Sequence, residues 1–202
     1  MNKKYELTNE TIMIHGHTLH RIKALRSFRD VKAGDLGGFI ESEKNLSHDQ
    51  RCWVTGNAQV YGDARVYGDA LLYGNALVFE NAQISVNAQV FGNAWMNRQA
   101  RIYGNAHVSG DAWVGGDALV FENALVDGNA HIFGNAEVFG KAKIYENAEV
   151  SDDAHVSGDA WVGGYARLNR KTKLDFGTWN KIIYINDKFY LISTTLKKIL
   201  VE

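Results

Sequence analysis

Val60-Tyr61-Gly62-Asp63-Ala64-Arg65, followed by Val66-Tyr67-Gly68-Asp69-Ala70-Leu71, decides the fold, because the six-residue unit written here twice runs unbroken from Val54 to Leu174. Numbered from the aliphatic residue, position one is Val, Ile, Leu or Met throughout, and position five is Ala at 19 successive places before Thr172. Position four is Asn or Asp except at Gln99, Lys141, Tyr165 and Lys171, and position three is Gly in 13 of 20 units. A helix turns once in about 3.6 residues and cannot keep one side chain of such a unit on a constant face.

A short strand and a corner account for every position. Position five and the aliphatic two residues later point to one side and build an interior, while positions six and two point outward. The Gly-Asn or Gly-Asp pair turns the chain, since these residues tolerate left-handed backbone angles. Three corners close a triangle of about 18 residues per coil, and short-period repeats of this kind build solenoids. The expected fold is an all-β parallel β-helix. The sequence has no proline, as continuous ladders that use the N–H groups of each strand require.

The series aliphatic-x-Gly-Asn/Asp-Ala-x resembles the hexapeptide-repeat family, and the match covers the stretch 51–174. The leader Ala33-Gly34-Asp35-Leu36-Gly37-Gly38-Phe39-Ile40-Glu41-Ser42-Glu43-Lys44-Asn45-Leu46-Ser47 is similar to a bacterial and phage subgroup usually named as acetyltransferases. The resemblance implies a left-handed triangular helix, a homotrimer, and in many members acyl-CoA-dependent acetyl transfer with a histidine as general base near a subunit boundary. Against that activity stand the lack of an inserted loop in the repeat and the shortness of the flanking segments. An intertwined helix of three chains is the alternative architecture, since close copies recur at 42 and 48 residues (Val78 and Val120, Val108 and Val156).

Residues 1–50 read as an N-terminal hairpin and cap, with Gly16 at the turn between Thr11-Ile12-Met13-Ile14 and Thr18-Leu19-His20-Arg21-Ile22. His15, His17 and His20 read as polar turn and strand-face residues; a metal reading would need a matching carboxylate or second shell. Residues 175–202 read as a second β hairpin, a cap or recognition module, with a helical turn over 195–200. Cys52, the single cysteine, falls in the position-five frame and reads as a buried packing thiol. A formal net charge of −1 with both signs mixed gives no case for a nucleic-acid polymer or a membrane surface as partner. No apolar run has membrane-spanning length and the N-terminus lacks a signal-peptide core, so the expected location is cytoplasmic.

Function must lie on the outward positions. Trp95, Trp113 and His131 are spaced to lie above one another on one wall, beside Asn97, Gly115 and Phe133, with Arg98 and Arg101 near the lower edge. Indole faces with guanidinium groups suit a nucleotide-type ligand. The candidate ligand-binding set is Trp95, Asn97, Arg98, Arg101, Tyr103, Trp113, His131 and Phe133; the same Trp and Arg residues also suit a subunit contact. His107, His131 and His155 are the candidate catalytic bases if the protein is an acetyltransferase, with acetyl-CoA as cosubstrate. Their spacing of 24 puts them on different walls. The leading expectation is a non-catalytic homotrimer, without cofactor or metal, that sequesters a small anionic nucleotide-type ligand between subunits, in one version a phage-encoded sponge for a host immune signal. An acetyltransferase and a structural rod or adaptor are the alternatives.

Overall fold

The structure is a computed structural model that describes residues 3–170 and 172–175 in full and residues 176, 180–185, 188–193 and 200–201 by their backbone. Positions six and one of each unit form a two-residue strand, and each strand pairs in parallel with its counterparts one coil away. Trp95 thus pairs with Leu77 and Trp113, and Met96 with Val78 and Val114. Three walls result. The first runs from Gln59–Val60 to Arg167–Leu168, the second from Arg65–Val66 to Lys173–Phe176, and the third from Trp53–Val54 to Trp161–Val162. Among the described residues every parallel ladder joins strands of the same chain one coil apart, which makes a parallel β-solenoid wound from a single chain.

The interior is the two columns read from the repeat. From Ala58 to Ala166 and from Val54 to Val162 these residues are at most 1% exposed. Each aliphatic side chain so buried contributes roughly 1.5–3 kcal/mol. At the corners, position three is left-handed even where it is not glycine: Glu80, Val86, Arg98, Glu122, Glu146, Asp152 and Arg170 all have φ between 54° and 61°. That conformation costs an L-residue roughly 1–2 kcal/mol. Four of the seven are acids, and each carboxylate accepts the N–H of the position-three residue one coil onward. Glu80 takes Arg98 at 2.7 Å, Glu122 takes Gly140 at 2.9 Å, Glu146 takes Gly164 at 2.5 Å and Asp152 takes Arg170 at 3.2 Å. Asparagines at position four form a second corner ladder, from Asn57 through Asn75 and Asn93 to Asp111.

Val86 has the strain without a carboxylate: it is β-branched, 48% exposed and at φ 61°. Val86→Gly is therefore expected to stabilise the protein by about 1 kcal/mol, net of the greater chain entropy glycine loses on folding. Urea denaturation would show this as a raised midpoint at constant slope; an unchanged or lowered midpoint refutes it.

At the N-terminal end β1 (Tyr5–Ile14), β2 (His17–Ala24) and β3 (Leu36–Ile40) form an antiparallel meander, and β3 joins the first wall by pairing in parallel with Gln59–Val60. The Gly37-Gly38 pair lets β3 press on the first coil: a Cβ at Gly37 would lie 2.6 Å from the Val54 carbonyl oxygen, and one at Gly38 2.5 Å from that of Ala58. Asn45, fully buried in the 3-10 turn Glu43–Asn45, caps the edge by donating from Nδ2 to the carbonyls of Gly62 at 3.0 Å and Ala64 at 2.9 Å. Trp53, expected outward by its repeat position, is 2% exposed because Phe28 and Tyr5 of the cap pack on its ring at 5.3 and 6.3 Å. The three histidines go to separate partners: His15 to the Tyr61 hydroxyl, His17 to Glu41, His20 to the Thr8 carbonyl. Among the described residues no three ligating side chains are grouped for a metal.

The C-terminal hairpin is present as Asn180–Ile185 antiparallel to Lys188–Ser193, with its first strand parallel to Trp161–Val162. The helical turn expected over 195–200 falls on residues outside those described, apart from Leu200, which is strand. No helix among the described residues is long and apolar enough to cross a membrane.

The carboxyls held low by the fold lie towards its N-terminal end. Hydrogen bonds from His17, Lys3 and Arg51 hold the carboxyls of Glu41, Glu43 and Asp69, respectively, below the usual carboxylate range. A depressed carboxylate contributes stability above its unfolded value of about 4 and loses it as the pH falls through the folded value. All three are partly exposed, so solvent screening keeps the contribution small. Below pH about 4 amide exchange at Leu19 and Ile22 is expected to accelerate more than at Val108 and Ile132; equal acceleration at both ends would refute this.

Candidate functional site

The outward rings are less bare than their number suggests. At position two they stack on one another within the chain: Tyr61 on Phe79 at 5.2 Å, Tyr73 on Phe91 at 4.6 Å, and Tyr103 on Phe121 on Phe139 at 4.9 and 4.8 Å. Parallel strands about 4.8 Å apart impose this spacing, close to that of stacked rings. Most rings are half-buried in consequence. Trp95 at 50%, Tyr67 at 40%, Trp161 at 36% and Tyr165 at 69% are the large exposed ones among the described residues.

The first wall carries Trp95, Trp113 and His131 in register, as the spacing required. The small residues beside the two indoles leave no open recess. The Trp113 ring folds across Gly115, where a Cβ would lie 3.1 Å from its Cζ2, and its Nε1 donates to Asn97 Oδ1 at 3.1 Å. It stacks on Phe133 at 5.8 Å and meets the His131 ring edge-on at 5.7 Å. The candidate set is divided between walls. Trp95, Asn97, Trp113, His131 and Phe133 share the first wall, Arg101 and Tyr103 lie on the second, and Arg98 is the corner residue between them. Arg101 therefore turns away from the indoles.

A guanidinium does stand on the first wall, higher up. Continuing the register from His131 gives Glu149 and then Arg167. These three form the floor of a groove of 640 Å³ that Asn129, Asn147, Tyr165 and Asn169 also line. That volume suits one small organic ligand. Arg167 Nε lies 3.6 Å from Glu149 Oε2, and Asn129 Nδ2 donates to Asn147 Oδ1 at 3.2 Å. Tyr165 stands at a corner where most units have Asn or Asp, and its ring is exposed at the groove edge. Adding one coil twice to His131 would have found Glu149 and Arg167 in the sequence.

His107 lies on the third wall between Gln89 and Leu125, His131 on the first, and His155 on the second. His155 alone of the three has a carboxylate on its ring, with Nδ1 3.1 Å from Glu137 Oε2.

These features define a parallel β-solenoid with a polar, aromatic-edged groove on one wall. Two stretches, residues 58–72 and 100–116, match the family model described as the YdcK beta solenoid repeat. No curated protein matches the chain.

Proposed function

We propose that this protein is a non-catalytic binding protein that captures a small anionic, ring-bearing ligand of nucleotide type in the upper groove of the first wall. The observation that supports it is the convergence of Arg167, His131 and the exposed Tyr165 ring in one groove of ligand size. Arg167 shares one long contact with Glu149, which leaves guanidinium donors for a phosphate. Glu149 and the three asparagines supply acceptors and donors for ribose hydroxyls and base amines, and Tyr165 offers a stacking face. Capture without chemistry would serve to sequester a nucleotide signal, including a host immune signal if the protein is phage-encoded. Titration calorimetry against linear and cyclic nucleotides and acetyl-CoA tests the reading. Intact nucleotide released by heat denaturation supports it, and recovery of altered ligand overturns it.

Assembly as a homotrimer belongs to the same proposal, because exposed rings lie on all three walls and a neighbouring chain would cover them. Light scattering is expected to give three times the chain mass at micromolar concentration; a stable monomer refutes this part.

One observation favours acetyl transfer as a second reading. A carboxylate that holds Nδ1 of a histidine orients Nε2 as a general base, and the Glu137–His155 pair has that form on the second wall. Under this reading thiol release from acetyl-CoA in the presence of the true acceptor would be lost in His155→Ala and lowered in Glu137→Gln. Under the binding reading neither substitution, both lying on the second wall, changes nucleotide affinity.

A further inference from the structure

Lys4 and Cys52 meet beneath the first coil, and neither side chain reaches solvent. Lys4 Nζ donates to the Cys52 carbonyl at 2.8 Å and lies 3.2 Å from Cys52 Sγ. The Phe28 ring covers the amine at 5.4 Å, and Sγ faces the carbonyls of Ser47 at 3.4 Å and Val66 at 3.6 Å. A buried lysine is costly unless paired or neutral, and packing alone would favour an apolar side chain here. Its amine has instead been placed against the single sulfur of the chain. Burial pulls the Lys4 amine below the usual lysine range, towards the neutral form that can attack sulfur, and pushes the Cys52 thiol above its own, so the thiolate that peroxide oxidises forms when the cap opens.

We propose that Lys4 and Cys52 are an oxidative modification site, at which a peroxide joins Nζ to Sγ and fastens the N-terminal strand covalently to the first coil. Hydrogen peroxide transfers one oxygen to the thiol, giving the sulfenic acid and water. The Nζ lone pair then attacks sulfur: the S–N bond forms, the S–OH bond breaks, and the hydroxide leaves with an amine proton as a second water. Sulfur loses two electrons to the peroxide, and the product is a sulfenamide. The peroxide reaches sulfur through local opening of the cap, and reclosing returns the amine to within 3.2 Å of sulfur, where it intercepts the sulfenic acid before further oxidation. Thiol reductants cleave the S–N bond and restore both groups. Oxidation therefore tightens the cap reversibly.

The test is intact-mass and peptide mass spectrometry of the full chain after hydrogen peroxide, with and without subsequent dithiothreitol. The expected product is about 2 Da lighter than the reduced chain, joins the Lys4 and Cys52 peptides, and disappears with dithiothreitol. Amide exchange in β1 is expected to slow at least tenfold in the joined form. Lys4→Met removes the amine and keeps the sulfur, and is expected to give only oxygenated Cys52. If that variant does not fold, the wild-type peptide map still decides. Oxygenated Cys52 with Lys4 unattached in the wild type, an unreacted thiol at full peroxide exposure, or a joined pair one oxygen heavier would each overturn the step as written.

Discussion

Ala112→Leu is expected to lower stability by about 3 kcal/mol or more, the upper range of overpacking in a well-packed interior. Ala112 is fully buried, and in its column Ala94 below and Ala130 above are equally closed. The Ala130 carbonyl takes the Trp113 N–H at 2.9 Å and that of Ala112 takes Trp95, so the coils cannot separate to admit a larger side chain without breaking ladder bonds. For a chain of this size the melting temperature should fall by roughly 10 °C. The matched outward change, Gln89→Lys, points away from this interior and should leave the melt within about 2 °C, as surface substitutions usually do. Equal melts for the two variants would refute the assignment of inward and outward positions. Because each coil contacts only its neighbours, the loss should begin locally, with exchange accelerating first in the coils around residue 112.

The solenoid was legible because its signal repeats: one misread unit changes nothing when Ala recurs 19 times in phase. The N-terminal segment was legible as a hairpin and cap, but the residues it would cover were not. Nothing local in Trp53 or Cys52 says that residues 4 and 28 will fold over them, since that contact joins segments tens of residues apart. At the candidate site the register was readable and the side-chain directions were not. The spacing of Trp95, Trp113 and His131 gave a true column. Arg101 is one unit from Trp95, which is one wall away, so its separation from the indoles was contained in the same arithmetic. Whether the Trp113 ring stands out or lies across Gly115 depends on side-chain rotation, which the repeat does not encode. The non-glycine corners were visible as exceptions, but the reason for four of them, a carboxylate reaching the next coil's N–H, needs the coil spacing to be seen.

Arg167→Ala is expected to weaken nucleotide binding tenfold or more, the largest loss of any single change in the groove. Arg167 sits at the end of the His131–Glu149–Arg167 row and is exposed, so truncation removes the guanidinium without opening the interior. It also leaves Glu149 unpaired beside the place proposed for a phosphate, so repulsion adds to the lost contact. A phosphate contact made at an exposed guanidinium weakens as salt screens it, so the ratio of wild-type to variant affinity should shrink between about 50 mM and 500 mM salt. Tyr165→Ala should cost a stacking contribution of roughly 1–3 kcal/mol that salt hardly alters. Trp113→Ala differs from both, because that ring packs on Phe133 and bonds Asn97 and its loss should lower the melting temperature as well. Calorimetry at the two salt concentrations separates these outcomes. An Arg167→Ala protein that binds nucleotides as tightly as the wild type at low salt would move the anion site off the first wall.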